Sequence, residues 1–196
     1  MNASRIIGAG LFGGIVMFIW GALSHMVLPV GDMGMKGLPG EEMIMPAMKF
    51  SIQERGFYMF PGMKEGELTD EDMEAWTAKY KQGPRGIVVF DPSGGDAMAA
   101  SQLGAEFGSN VLAAFFAAVI LSRVTGPRST KTLLAMLIGV VGWLSINASY
   151  WTWYRFPNLF TVGQLIEQGV GWFLSGAAIA LVLGGHPKPR PAGMQM

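Results

Sequence analysis

Seven polar residues stand inside otherwise apolar runs of this chain: His25, Glu106, Asn110, Asn147, Gln164, Glu167 and Gln168. An ionisable side chain costs roughly 2.5–3.5 kcal/mol at the centre of a bilayer on insertion scales, so each one found there raises a functional question. Carboxylates with an imidazole suit several chemistries. They can hold a divalent metal, here at His25, Glu106 and Glu167; they can pass protons; they can grip a quinone or lipid head group. Spacing sorts the seven onto helix faces. Glu106 and Asn110 are four apart and share one face. Gln164 and Gln168 share another, with Trp172 one turn further, while Glu167 is offset and faces with Gly163 and Gly171. A plainer reading stays open: close to the membrane surface, such groups bond across helices or to nearby backbone. His186 falls past the opposite end of the last apolar run from His25, which excludes bis-histidine haem ligation within one chain.

The elements that must position these residues are four apolar stretches: residues 6–28, 103–122, from after Lys131 to about 149, and 161–183. Each approaches the roughly 20 residues that a helix needs to cross a hydrocarbon core. None shows the alternation of a barrel strand, so all four are expected to be helices. The first also resembles a signal peptide, with Ala22-Leu23-Ser24 as a cleavage site, but its apolar core is long and it is taken as a span. Basic residues set the orientation. Arg5, Arg123, Arg128, Lys131, Lys188 and Arg190 flank the spans on one side without a single acid, whereas residues 29–102 carry seven bases and twelve acids. The expected topology therefore has both termini cytoplasmic and residues 29–102 outside. The formal net charge of zero hides this separation. In that topology all seven polar residues fall in the outer leaflet.

The expected domains are a first span over 1–28, an outside domain over 29–102, three further spans over 103–185 and a basic cytoplasmic tail over 186–196. The outside segment is too long for a structureless loop. Residues 41–55 are helix-compatible, with Pro46 expected to break or start the helix. Gly56-Phe57-Tyr58-Met59-Phe60 and Gly86-Ile87-Val88-Val89-Phe90 read as strands closed by turn residues. Between them Thr69 caps a helix over 70–81, whose early acids suit its positive end. The fold class is thus an all-α four-span bundle with a small α+β cap.

Other patterns look like chemistry and have simpler explanations. Gly8-Ala9-Gly10-Leu11-Phe12-Gly13 spells a dinucleotide fingerprint, but no strand precedes it. Gly10, Gly14, Gly163 and Gly171 read instead as small residues that let helices approach closely. Asp70, Asp72 and Glu74 hint at a calcium loop, but Ala75 stands where the loop needs glycine. The methionines at 33, 35, 43, 45 and 48 have soft thioethers suited to Cu(I), without a His or Cys among them. Trp143, Trp151, Trp153 and Tyr154 form an interfacial aromatic belt, or else a stacking surface for a flat ligand.

Composition narrows the classes further. Of 196 residues, 51% are hydrophobic and only 14% charged, with no cysteine. A disulfide scaffold, a thiolate zinc site and a cysteine nucleophile are excluded, and the charge balance argues against a nucleic-acid partner.

Four segments carry a resemblance. They are Trp20-Gly21-Ala22-Leu23-Ser24-His25-Met26-Val27-Leu28-Pro29, Gly56-Phe57-Tyr58-Met59-Phe60-Pro61-Gly62, Asn147-Ala148-Ser149-Tyr150-Trp151 and Gln168-Gly169-Val170-Gly171-Trp172. Through them the chain resembles a group of uncharacterised bacterial membrane proteins with four spans and an insert after the first. The resemblance implies a bacterial inner membrane location and carries no activity. Two functions are expected from the whole reading. The first is an accessory or assembly subunit packing in a larger membrane complex or homo-oligomer. The second is an outer-leaflet site for a metal ion, quinone, lipid or proton formed by His25, Glu106, Asn110, Asn147 and Glu167. An enzyme at that same site ranks behind both.

Overall fold

The computed structural model describes residues 2–185; the basic tail with His186, Lys188 and Arg190 lies outside them. The element order is α1 (Ala3–Met26), α2 (Glu41–Ser51), β1 (Gly56–Phe60), α3 (Asp70–Gln82), β2 (Gly86–Phe90), α4 (Ala100–Ser122), α5 (Arg128–Tyr154) and α6 (Asn158–Leu183). α1, α4, α5 and α6 are each long and apolar enough to cross a membrane. The chain divides into two compact units, one built from residues before 36, 98–152 and from 156 onwards, the other from 36–97 with 153–155.

The first unit is a helical bundle with small residues inside and bulky ones outside. Its core joins Ala9, Ala114, Ala117, Ala118, Leu121, Ala135, Ile179 and Leu183. Ile7, Ile19, Leu112, Phe116, Leu137 and Val141 are all exposed. In water this arrangement would leave too much apolar surface wet; it suits a bilayer, where close packing rather than hydrophobic burial joins helices. The bundle thus has the character of a multi-pass membrane protein.

Glycines set the helix separations. A Cβ on Gly10 would stand 2.7 Å from the Phe115 backbone, and one on Gly14 would stand 2.5 Å from that of Val111, so α1 and α4 touch backbone to backbone. Gly171 receives Met17 and Trp20 of α1, and Gly163 receives Met33 from the loop that follows it. These glycine faces are filled within the chain.

Basic residues close two helix ends. α5 starts at Arg128, directly after Pro127, so Lys131 lies in its first turn rather than in a solvated connection. Lys131 is fully buried and its Nζ donates to the carbonyl of Leu121, in the last turn of α4, at 3.1 Å. Arg5 Nε donates likewise to Val182 O in the last turn of α6, at 2.7 Å. Each cation meets the negative end of a helix dipole; the Leu121 carbonyl also accepts from the Val124 N–H at 3.2 Å. Two of the six basic residues expected to orient the chain therefore lie against helix ends.

The second unit holds β1 and β2 as an antiparallel pair, with Gly56 opposite Phe90 and Phe60 opposite Gly86. α3 begins with a capping box. The Thr69 hydroxyl accepts from the Asp72 N–H at 3.1 Å, and the Asp72 carboxylate accepts from the Thr69 N–H at 3.1 Å. The Thr69 N–H and the Thr69 hydroxyl, which donate to this carboxylate at 3.1 and 2.8 Å, and Lys64 at 3.2 Å hold the Asp72 carboxyl below its ordinary value of 3.8. Asp91 is lowered too, first through its hydrogen bonds from Ser93. α2 ends at Ser51, short of the expected 55, and keeps Pro46 inside. The helix tolerates it because none of its residues is buried, so the carbonyl that loses its N–H partner is open to water.

Candidate functional site

The last two turns of α1 carry Trp20, Ser24 and His25 toward α6. Beyond it the chain folds back, and the Gly31 N–H donates to Ser24 O at 3.0 Å. A Cβ on Gly31 would strike the His25 ring, so the return over the imidazole requires a residue without a side chain. That return brings Asp32 to His25, with Oδ1 3.0 Å from Nδ1. The other ring nitrogen, Nε2, lies 3.1 Å from Glu167 Oε1 of α6. The same carboxylate oxygen accepts from the Ser24 hydroxyl at 2.6 Å. Gln164 Nε2 stands 3.5 Å from Oε2, and the Trp20 indole donates to the Glu167 carbonyl at 3.0 Å. α1 and α6 are thereby locked in register at this level.

The arrangement has a consequence for proton count. A neutral imidazole has one N–H and one lone pair. Donation to both carboxylates at once needs a ring protonated on both nitrogens; a neutral ring donates to one and turns its lone pair on the other. Exposure falls along the chain of contacts. The Asp32 side chain is 59% exposed, His25 45% and Glu167 13%, and Ser24 is fully buried. This is the order a path from solvent into the bundle requires.

Beside it lies a pocket of about 340 Å³, whose lining includes Phe18, Met26, Leu103, Glu106, His25 and Glu167. Glu106 accepts from Asn110 at 3.0 Å, confirming their common face, and Phe18 meets Phe107 edge-on with ring centroids 5.5 Å apart. Both carboxylates of the apolar helices thus reach one cavity, with His25 between α1 and α6 at its wall.

Of the other residues singled out in the sequence, Asn147 and Gln168 are half-buried and take no part in this network. Trp172, on the same face as Gln168, packs against Gly139 of α5. Trp143 donates to Thr161 O at 3.0 Å and Trp151 to Asn158 Oδ1 at 2.7 Å, tying α5 to the start of α6. Trp153 and Tyr154 belong to the second unit, where Tyr154 meets Phe57 edge-on at 5.7 Å. No group of three or more His, Cys, Asp or Glu side chains that could hold a metal ion occurs among the described residues.

Two members of the site were missed in the sequence, Ser24 and Asp32. Ser24 is one residue from His25 and looks like an ordinary small residue. Asp32 lies in a loop, and only the Gly31-Asp32 pair seven residues beyond His25 hints that the chain turns back. Compared with known proteins, the chain matches no family model, no curated protein and no solved structure.

Proposed function

We propose that this chain is a multi-pass protein of a bacterial inner membrane whose bundle exchanges protons for a small organic cation. The observation that carries the reading is His25 held between Asp32 and Glu167 at 3.0 and 3.1 Å, at the wall of a pocket that Glu106 also enters. Two carboxylates in an apolar cavity attract a cation, and Phe18 offers it an aromatic face. In this reading Asp32, His25 and Glu167 together carry one proton more than a neutral imidazole supplies, and an entering positive charge makes it unfavourable. The proton then leaves outward: Glu167 gives it to His25 Nε2, while Nδ1 releases one to Asp32 and so to water. Return of a proton along the same groups expels the cation. In the orientation set by the basic residues, this site faces the outer leaflet and both termini are cytoplasmic.

The test uses the full chain in lipid nanodiscs, titrated with benzyltrimethylammonium in weakly buffered solution with a pH indicator. Binding with release of one proton per cation supports the reading, and E167Q should abolish both. Binding without proton release, or proton release unchanged in E167Q, contradicts it.

A second reading, an assembly subunit in a larger complex or homo-oligomer, draws on Gly104 and Gly108 of α4. They are four apart, and a Cβ on either would meet nothing within 4 Å. A partner helix could approach closely there. A single-copy mass in mild detergent, unchanged by G108L, would remove this reading.

A further inference from the structure

The second unit contains a pocket larger than the one in the bundle, about 460 Å³, within the roughly 300–1,000 Å³ typical of small-molecule sites. Its wall is aromatic: Phe60 from β1, Trp76 and Tyr80 from α3, and Trp153 from the last turn of α5. The Trp76 indole N–H is already committed to Pro61 O at 3.0 Å, so this ring offers an occupant its apolar face. The charged groups in the lining are both arginines, Arg85 and Arg155. The Arg85 guanidinium stacks over Tyr80, 4.8 Å from the ring centre. Arg155 holds a left-handed backbone (φ 62°), which costs a side-chain-bearing residue energy and directs the chain sharply after α5. Neither arginine forms an ion pair among the described residues.

The charge is unusual for its surroundings. This unit carries eleven acidic and eight basic residues, yet no carboxylate lines the pocket. Two of the unit's other six bases form ion pairs, Arg55 with Asp91 at 3.6 Å and Lys64 with Asp72 at 3.2 Å. Two guanidiniums left unpaired beside an aromatic cavity match an anionic group joined to an apolar body.

We propose that this pocket binds a single-chain anionic amphiphile, with its carboxylate or phosphate on Arg85 and Arg155 and its apolar chain against the aromatic wall. The proposal does not depend on the bundle site. It is tested on the full chain in nanodiscs of phosphatidylcholine, photolabelled with palmitate bearing a diazirine on its chain and mapped by mass spectrometry. Label should concentrate on the peptides containing Phe60, Trp76 and Trp153, and oleate should compete where oleyl alcohol does not. The R85Q/R155Q double variant should lose about tenfold or more of this labelling, as loss of charge-assisted bonds implies. Both side chains are exposed, so the variant should fold, and R85K/R155K should restore part of the signal. Nanodiscs containing phosphatidylglycerol distinguish the source: competition assigns the site to a membrane lipid, and lack of it assigns the site to a free amphiphile. Equal labelling of the double variant, equal competition by oleyl alcohol, or label spread over the apolar helices without enrichment would overturn the proposal.

Discussion

The two units of this molecule are held together by opposite means. In the bundle, helices touch through glycine and alanine, and the fully buried Ser24 and Lys131 find partners on neighbouring elements. In the second unit, Phe90 is the one buried residue, and Phe50, Met43 and Val89 are 85%, 81% and 75% exposed. Its order comes from one strand pair, one capping box and local aromatic contacts. The bundle is stabilised by the closeness of its surfaces, so it tolerates no added volume where backbones meet. The second unit is stabilised by a few separable interactions, each of which can be removed alone. Close packing holds His25 of α1 and Glu167 of α6 at a fixed 3.1 Å. Loose packing leaves a cavity whose aromatic wall is open to a ligand.

The largest effect should come from filling the closest helix contact. Gly14→Leu would drive a side chain into the Val111 backbone, and it should destabilise the bundle by about 3 kcal/mol or more. Gly21→Leu, at a position with nothing within 4 Å of its Cβ, should change stability by about 0.5 kcal/mol or less. Thermal unfolding in mild detergent reads both, and equal losses would refute the close-packing account. Phe90→Ala should cost the second unit about 3 kcal/mol. Protease cleavage between residues 36 and 97 should rise while the bundle stays resistant; loss of both together would show that the units are not separable.

A smaller effect is expected at the α3 cap. Thr69→Ala should cost about 1 kcal/mol, seen as faster amide exchange in α3 alone. Acid should act at the same place. Asp72 has a carboxyl pKa below 3.8 in the folded protein, so its contribution is present above that value and lost as the pH falls through the lowered one. Amide exchange in α3 should therefore quicken below about pH 4, and less so in the Thr69→Ala variant. Identical acid responses would separate the capping box from the titration.

Much of this architecture is legible in the sequence because its signals are long or chemically narrow. Four apolar runs need only counting, and both strands occupy the expected residues because glycine, proline and aromatic residues bracket them. α3 runs one residue past its expected end. The bundle site was legible in depth and not in bearing. Topology puts His25, Glu106, Asn147 and Glu167 at one end, but only packing decides which of them turn inward. Asn147 remains apart, while Ser24 enters because α1 presents it beside His25. Asp32 was illegible because its place depends on a loop crossing a histidine ring at Gly31. The sequence places Lys131 just before the third span, and it does not reveal that the α4 terminus lies within its reach.

The proposed exchange requires Asp32, His25 and Glu167 to share one proton more than a neutral imidazole carries. Solid-state NMR on full-length protein in bilayers, labelled with 15N-histidine and 13C-carboxyl aspartate and glutamate, reads every place that proton can occupy. H186N leaves His25 as the single histidine signal. The proposed exchange predicts, at neutral pH, either a ring with both nitrogens protonated or a protonated carboxyl, abolished by E167Q. A neutral ring beside two fully ionised carboxylates would contradict it.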